Sequence, residues 1–358
     1  MKIITLTHVR NDAWCIEKAI QHLRVWADEV IIADESSNDG SAEIYRRCKA
    51  HPNVHIVENR PKFNFNTPDL RNYMLALARG FDGNNLIFEI HADEIMSAEI
   101  LRPDVKERLL ESVKPRSAIM MPWTTLWKHP AAIRADKSIW SRTRSWFGYY
   151  DDRSANFEGA YFHGSRIPEQ YLANRLDVDF LQVLHYQFVN LGFERSKQAL
   201  YQIYERNHFP KENIEYINKK YAIAFDERDV RVKSLDRKHI DPWIAMGIPL
   251  GEVYPEQMFN WRDVEVLRNF QRNGMAKYWE LNIWYIDWEQ KRLEALEKGC
   301  EGIPIRPIVD TRGLSTRLAH KWLMSTQCYP FWRLDFFKLL ISKGLERIRR
   351  MLSGLAKS

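Results

Sequence analysis

The chain has 358 residues, 45% of them hydrophobic and 13% aromatic, which is enough apolar material for a sizeable core and argues against disorder. Its net charge of +6 is uneven, because residues 331–358 carry seven basic and two acidic side chains, leaving +1 for everything before them. A near-neutral body with a basic tail lacks the broad basic face that nucleic-acid binding requires.

The four cysteines are scattered without a close pair, so neither a zinc-ligand spacing nor a disulfide framework is indicated. The apolar start at residues 3–7 is too short for a signal-peptide core, and no apolar run approaches the roughly 20 residues of a membrane span. We therefore expect a cytoplasmic protein, with peripheral contact at the inner face of the cytoplasmic membrane as its closest association with lipid.

The first hundred residues alternate between strand-like and helix-like segments. Asp12 is expected to cap the first helix, whose apolar residues recur at helical spacing up to residue 27. Strands are predicted at residues 2–7, 29–34, 53–58 and 85–90, and further helices at residues 42–50 and 68–79. This alternation predicts an α/β fold with a mostly parallel sheet and helices on both faces.

The rest of the chain changes character. Beyond residue 100 the pattern predicts a strand at residues 181–189 and helices at residues 193–206, 263–273 and 277–298. We expect an α/β domain at residues 1–230, a mainly helical extension at 231–330 and a basic amphipathic helix at 331–358. That last helix can lie in an anionic lipid interface, or it can dock on the protein with its basic face in solvent.

Four short motifs in the first hundred residues follow one another in a characteristic order. They are Thr7-His-Val-Arg-Asn-Asp12, Ile31-Ile-Ala-Asp-Glu-Ser-Ser-Asn-Asp-Gly-Ser41, Leu70-Arg-Asn-Tyr73 and His91-Ala-Asp-Glu94. In this the chain resembles glycosyltransferase family 2, whose members have the GT-A fold and use nucleoside diphosphate sugars. The resemblance covers residues 1–100 well and residues 100–230 loosely.

The donor site is predicted at the carboxyl ends of the strands. The nucleotide-sugar-binding residues that the resemblance implies are Thr7, Val9, Arg10, Asp34, Glu35 and Arg71. Asp34 would accept a hydrogen bond from an N–H of uracil or thymine, so a UDP or dTDP sugar is expected. Arg71 would meet the diphosphate. The alternatives are that Asp34 caps the following turn and that Arg71 is a surface residue.

A divalent metal, Mn²⁺ or Mg²⁺, is implied as the cofactor. The family usually writes its metal motif Asp-x-Asp; here His91 replaces the first acid, and Asp93 retains the position of the usual direct ligand. His185, at the end of a later strand, resembles the histidine that completes many GT-A metal sites. A structural role is the alternative for both histidines.

A general base is expected in the segment that follows the metal motif, where Asp152, Asp151 and Glu158 are the candidates. The aromatic wealth of residues 123–162 fits a platform for sugar rings, or an ordinary core.

The resemblance therefore implies an inverting glycosyltransferase that acts on a glycan or lipid-linked glycan of the surface polysaccharide or lipopolysaccharide type, with no nucleic-acid partner. Two alternative functions remain open. A nucleotidyltransferase would want a glycine- and lysine-rich loop near the first strand, whereas residues 7–12 contain no glycine. A catalytically silent relative that binds glycans or acts as a scaffold is the non-enzymatic alternative.

Overall fold

A computed structural model describes residues 1–58, 67–136, 139–159, 164–224, 227, 230–252, 259–310 and 312–326. The chain forms two compact units that do not follow chain order. Unit 1 comprises Met1–Ala135, Ile139–Val189 and Val232–Tyr254, and unit 2 comprises Asp136–Ser138, Asn190–Arg231 and Pro255–Ser358. A single boundary is expected near residue 230. In the structure, the chain passes from unit 1 to unit 2 after Val189 and returns to unit 1 at Val232. The basic helix predicted at residues 331–358 lies outside the described residues.

Unit 1 contains strands of three to eight residues and a smaller number of helices. The strands are β1 (Ile3–Val9), β2 (Glu29–Asp34), β3 (Val54–Val57), β4 (Asn85–Glu89), β5 (Glu94–Met96), β6 (Ala118–Thr125), β7 (Ala132–Arg134), β8 (Arg144–Asp151), β9 (Arg175–Asp177), β10 (Val183–His185) and β11 (Val232–Ser234). The helices are α1 (Ala13–Trp26), α2 (Ser41–Cys48), α3 (Thr67–Ala78) and α4 (Pro103–Ser112), with α7 (Asp241–Ala245) after the return to this unit.

The main sheet has the order β3-β2-β1-β4-β8-β6-β10-β5, and β9 pairs with β6 beside that path. Strands β1 to β4 are parallel to one another, whereas β8 is antiparallel to both β4 and β6. We call the side where β1, β2 and β4 end the carboxyl edge, and the opposite side the amino edge. The predicted α/β fold with a mostly parallel sheet is confirmed.

Alternate residues of the parallel strands pack against different helices. Ile3 and Val30 lie in the core that contains Ile16 of α1, while Ile4 and Ile31 pack with Met74 of α3. This alternation follows from the two-residue period of a strand and puts an apolar layer on each face. The predicted covering of both faces by helices is confirmed.

Two of the predicted segments have different bounds in the structure. The strand predicted at residues 181–189 is limited to β10 and continues as a 3-10 turn over Tyr186–Val189. Asp12 occupies the N-cap position of α1, but its side chain makes no capping hydrogen bond. The amide of Ala13 instead donates to Asp39 Oδ2 at 2.8 Å, so a carboxylate from the neighbouring loop serves this helix start.

Unit 2 is helical in its described part, which confirms the expected helical region. Its helices are α5 (Leu191–His208), α6 (Ile214–Tyr221), α8 (Trp261–Asn273), α9 (Trp288–Glu297) and α10 (Leu314–Thr326). The single helix predicted at residues 277–298 is wrong: a 3-10 turn at Met275–Tyr278 is separated from α9. The indole N–H groups of Trp284 and Trp288 donate to backbone carbonyls of Tyr278 and Ile283, both at 3.0 Å, and stabilise the compact turns between them. Throughout the part of the chain that the structure describes, no helix is long and apolar enough to cross a membrane.

Candidate functional site

The loops that follow β1 and β2 are joined at the carboxyl edge. The amide of Asn11 donates to Ser37 Oγ at 2.8 Å, and Asn11 Oδ1 accepts from the amide of Asn38 at 2.7 Å. Both loops use the left-handed backbone region, with φ of 55° at Asn11 and at Ser36, a region that L-residues other than asparagine and aspartate visit rarely. The two loops therefore form one ordered wall beside the strand ends.

Asp34 lies at the end of β2 and is buried. Its Oδ2 accepts from the amide of Ser37 at 2.9 Å, and its Oδ1 accepts from the hydroxyl of Tyr45 at 2.8 Å. Burial, and then the charge of Asp34, raise the pKa of Tyr45 well above its usual range, so this hydroxyl stays a donor. Asp34 thus caps the turn, which was the structural alternative. Its contact with a base stays a prediction.

The other predicted nucleotide residues lie along the same strand ends. Thr7 Oγ1 donates to the carbonyl of Ile90 at 2.7 Å, which ties β1 to the segment after β4. The amide of Glu35 donates to the carbonyl of Val9 at 2.8 Å, and Arg10 follows as a partly buried residue. These residues are therefore neighbours at the carboxyl edge. Their roles in nucleotide binding stay predictions.

Arg71, in the first turns of α3, is buried in an ion pair with Glu89 at the end of β4. Its Nε and Nη2 donate to the two carboxylate oxygens at 2.8 and 3.0 Å, and Nη1 donates to the carbonyl of Gly164 at 2.8 Å. Burial alone would raise the pKa of Glu89, but the charge of Arg71 lowers it well below its usual range. These bonds use three of the five N–H donors of the guanidinium, and the contact of Arg71 with a diphosphate stays a prediction.

A second buried arginine–carboxylate pair holds the turn at residues 91–94. Arg166 Nη1 and Nη2 each donate to one oxygen of Glu94 at 2.8 Å, and Glu94 Oε2 also accepts from the amide of His91 at 2.8 Å. Burial opposes ionisation of Glu94, yet the charge of Arg166 lowers the pKa of this carboxyl. Glu94 therefore acts as the internal support of the turn that carries Asp93.

His91 uses both ring nitrogens inside the same network. Nδ1 lies 3.1 Å from Arg166 Nη2, which can only donate, and Nε2 lies 3.3 Å from Glu89 Oε1. Both ring nitrogens are therefore in use: Nδ1 accepts from Arg166, and Nε2 faces a carboxylate oxygen of Glu89. The interpretation of His91 as a metal ligand is therefore at odds with this arrangement, because the histidine links two ion pairs instead.

Asp93 and His185, predicted from separate parts of the sequence, are brought together. His185 Nε2 lies 3.7 Å from Asp93 Oδ2, and the carboxylate side chain is 15% exposed while the imidazole is buried. The ring of Trp123 stacks on the imidazole at 4.3 Å between centroids, and the amide of Tyr186 donates to the carbonyl of Asp93 at 2.8 Å. Stacking and backbone bonding thus hold the two side chains in place.

The donor set of this pair decides what it can hold. One carboxylate oxygen and one imidazole nitrogen suit a divalent ion of the Mn²⁺ type. Among the described residues, no group of three or more histidine, cysteine, aspartate or glutamate side chains is arranged to hold a metal. The pair fits an ion that takes its remaining oxygen ligands from water and a bound phosphate group, as Mg²⁺ commonly does.

Asp151 and Asp152 lie at the other side of the sheet. Asp151 is paired in register with Asn85, the first residue of β4, so it belongs to the amino edge. Its two oxygens accept from Arg79 Nε and Nη2 at 2.8 Å each, and Asp152 Oδ2 accepts from Arg116 Nε at 2.6 Å. A general base must reach the reacting atoms. The position of these two residues is at odds with their catalytic assignment, which stays a prediction, because β8 runs antiparallel to β4 and carries its end away from Asp93.

Glu158 is placed differently from the two aspartates. It is exposed and directly follows Phe157, whose amide donates to Asn72 Oδ1 at 2.8 Å and whose carbonyl accepts from Asn72 Nδ2 at 2.9 Å. Because Asn72 follows Arg71 in α3, this segment reaches the side of the site that Arg71 and Glu89 occupy. Of the three candidate bases, Glu158 is the one that chain geometry brings toward the carboxyl edge.

For the aromatic residues at 123–162, the sequence leaves open a platform for sugar rings or ordinary core residues. Trp123 stacks on His185, whereas Phe147 and Tyr149 are buried in the cores and Trp127 stacks on Phe188. Tyr161 lies outside the described residues. Trp123, Trp146 and Tyr150 are partly buried and pack against the cores, so most of the described rings contribute to the core.

Sequence reasoning missed Glu89 and Arg166. A signal existed for Glu89, since a charged residue within the apolar run at residues 86–90 must find a partner if it is buried. No pattern marked Arg166, which follows an irregular segment and reaches Glu94 across 72 positions of the chain.

No family model matches this chain, and no curated protein matches it in sequence. Among solved structures, it is similar to the crystal structure of S. aureus TarS at 12% identity and a TM-score of 0.38, over 64% of this chain and 50% of that one. The chain therefore spans about half the length of that TarS structure.

Two crystal structures of S. aureus TarS 1-349 are also similar to this chain. The structure in complex with UDP has 14% identity and a TM-score of 0.38, over 87% of this chain and 95% of that one. The second has 13% identity and a TM-score of 0.36, over 86% and 97%. At these values the similarity carries no argument about activity, and function has to be argued from the residues of this chain.

Proposed function

We propose that this protein is a glycosyltransferase that uses a nucleoside diphosphate sugar. The observation that carries the proposal is the pair of Asp93 and His185 at the carboxyl edge. The two residues are 92 positions apart in the sequence and are brought together by the fold. Ligands of open α/β sheets bind at this edge. The joined loops after β1 and β2 border the same edge and supply the polar backbone that a nucleotide needs.

The donor is a UDP or dTDP sugar in this proposal. Each oxygen of Asp34 accepts one hydrogen bond from the protein, and a carboxylate has about four acceptor positions. A ring N–H of uracil or thymine can therefore still bond to Asp34, with Thr7, Val9, Arg10 and Glu35 lining the neighbouring strand ends. This supports a pyrimidine with an N–H donor over cytosine, whose corresponding ring nitrogen is an acceptor.

Asp93 and His185 would hold the divalent ion, Mn²⁺ or Mg²⁺, together with diphosphate oxygens. When bound, such an ion stabilises the negative charge on the departing diphosphate. The imidazole favours Mn²⁺ over Mg²⁺, because nitrogen ligands suit transition metals better. The buried pair of Arg166 and Glu94 fixes the turn that aims Asp93, so the ligand position is set before the donor arrives.

We further propose an inverting transfer to a glycan or a lipid-linked glycan. Glu158 is the candidate base, since it is exposed and lies on the segment that Asn72 holds beside α3. A carboxylate in that position can take the proton from an acceptor hydroxyl.

The proposal is tested by calorimetric titration of the full chain with UDP, GDP, CMP and dTDP, each with and without Mn²⁺. We expect binding of UDP or dTDP that strengthens at least tenfold with Mn²⁺. Release of free diphosphate from the matching sugar nucleotide, in the presence of candidate acceptors, then tests turnover. Absence of binding to all four nucleotides under both conditions would refute the donor site.

A silent glycan-binding relative is the second candidate. The internal bonding of His91 and Arg71 favours it, since both residues, which stand at positions of the family's motifs, contact buried ion-pair partners. A binding module retains affinity for glycans without nucleotide affinity, so the same titration separates the two functions.

A further inference from the structure

We propose that α10 is a membrane-binding helix that inserts Leu314, Leu318 and Trp322 into an anionic lipid interface. These residues recur every fourth position and form one stripe along the helix. They are 75%, 58% and 45% exposed. Large apolar side chains scattered singly on a surface are ordinary, whereas a continuous stripe over three turns marks an interaction surface. The inference concerns unit 2 and does not depend on the proposed enzymatic function.

The side of α10 opposite this stripe carries His320, a polar residue that is buried. Its Nδ1 accepts from Arg312 Nη1 at 2.7 Å, and its ring also hydrogen-bonds the backbone of Glu280. Burial and the charge of Arg312 lower the pKa of His320 to about 4, so the ring is neutral near pH 7. A helix that served only the fold would bury Leu314 and Leu318 and expose its histidine. Among the described side chains of α10, these two leucines are exposed and His320 is buried.

Charge identifies the partner as lipid. The sequence has no aspartate or glutamate between residues 311 and 334, whereas Arg317 and Lys321 are exposed on α10. Residues 331–358 add a net charge of +5, from seven basic and two acidic side chains. Leucine and tryptophan on one face with basic residues beside them are typical of helices that lie in the headgroup region of anionic membranes.

The segment that precedes α10, residues 305–310, also exposes large apolar side chains. Ile305 and Val309 are both strongly exposed, and Asp310, the acid that follows them, is occupied by Arg312 Nη2 at 2.9 Å. The one acidic side chain at the start of this surface is thus neutralised by the protein itself. Apolar and basic groups are exposed both on this segment and on α10, which is the complementarity with an anionic membrane that the proposal requires.

The test is flotation of the full chain with vesicles of phosphatidylcholine alone and of phosphatidylcholine with phosphatidylglycerol. We expect binding to the anionic vesicles. Leu318→Glu and Trp322→Glu should each lower the partition coefficient by tenfold or more. Tyr216→Glu is the matched control, because Tyr216 is an exposed aromatic residue on α6 of the same unit. It introduces the same charge, and it should lower binding by less than threefold.

Three outcomes would overturn the proposal. The wild-type chain could fail to bind anionic vesicles, the Leu318 and Trp322 variants could bind as well as the wild type, or all three variants could lose binding equally. A wild-type dimer that ignores vesicles and dissociates in Leu318→Glu would assign the stripe to a second copy of the chain. Nucleotide titration of Leu318→Glu keeps the two proposals apart, since donor binding should be unchanged.

Discussion

The two edges of the unit 1 sheet hold similar charged residues and use them differently. At the amino edge, Arg79 donates to both oxygens of Asp151. At the carboxyl edge, Arg166 does the same to Glu94, but Asp93 beside it faces the imidazole of His185 at 3.7 Å. Bidentate arginine holds a carboxylate in one orientation and makes it structural. Asp93, opposite a buried imidazole, is the carboxylate that our proposal assigns to a divalent ion, so the partner and not the acid distinguishes the two roles.

The largest expected effect is at Asp93. Asp93→Asn removes the anionic ligand, so we expect Mn²⁺-dependent nucleotide binding to disappear and sugar transfer to fall on the order of 10³-fold, about 4 kcal/mol. Calorimetry and a turnover assay measure both. Asp104→Asn is the control, because Asp104 is an exposed acid paired with Arg102. Mn²⁺-dependent binding that persisted in Asp93→Asn would mean that Asp93, like Asp151 at the amino edge, has only a structural role.

Arg79→Met should lower the stability of the protein at the amino edge and leave nucleotide binding at the carboxyl edge unchanged. It leaves the buried carboxylate of Asp151 without its ion-pair partner, which costs roughly 3 kcal/mol in the free energy of unfolding. Urea unfolding measures the loss, and nucleotide titration should give the wild-type affinity. Arg102→Met, which removes an exposed ion pair, should cost less than about 1 kcal/mol. Weaker nucleotide binding at unchanged stability in Arg79→Met would mean that the amino edge belongs to the site.

Acid pH should lower the free energy of unfolding through His22, which packs under β5, the strand that begins in the turn at residues 91–94. His22 is fully buried under β5, where Nε2 accepts from the amide of Met96 at 3.3 Å, and burial lowers the pKa of His22 to about 3. An unfolded histidine binds protons near pH 6.5, so the stability contributed by neutral His22 is complete above that pH. It declines as the pH falls towards 3, by about 2 kcal/mol at pH 5.

The measurement is the free energy of unfolding of the wild type and of His22→Gln between pH 7.5 and 4.5. Glutamine can donate and accept at the same two positions without titrating. The difference between the two proteins should shrink towards acid pH as the wild type loses stability. A difference that stays constant over this range would contradict the buried neutral histidine.

Asp152→Asn has the smallest expected effect. It weakens the ion pair with Arg116, whose side chain is largely exposed, while the asparagine Oδ1 can still accept from the Tyr171 hydroxyl. The loss of stability should therefore be about 1 kcal/mol. Sugar transfer should be unchanged, whereas Glu158→Gln should slow it at least tenfold if Glu158 is the base. A loss of turnover in Asp152→Asn with normal folding would restore the aspartate as a catalytic candidate and remove the difference between the edges.

Local patterns predicted the first half of unit 1 well. The strand predicted at residues 29–34 matches β2 at both ends, and the strand predicted at residues 85–90 differs from β4 by one residue. Such segments are buried on both faces and read as continuous apolar runs between turn residues, so their signal is local. The same approach failed at residues 277–298, where tryptophan side chains bond to backbone carbonyls and turns replace a helix.

Asp93 shows what the sequence determined, and Asp151 shows what it did not. A carboxylate directly after a buried parallel strand must lie at the carboxyl edge, so the motif at residues 91–94 placed Asp93 by itself. Asp151 carries the same carboxylate, but β8 runs antiparallel to β4, and only strand pairing shows that its end lies at the opposite edge. The pairing of Asp93 with His185, and of Glu89 and Glu94 with their arginines, likewise depended on tertiary structure. Contacts between residues 18 to 92 positions apart leave no periodic trace, because periodicity records only which face of an element is buried.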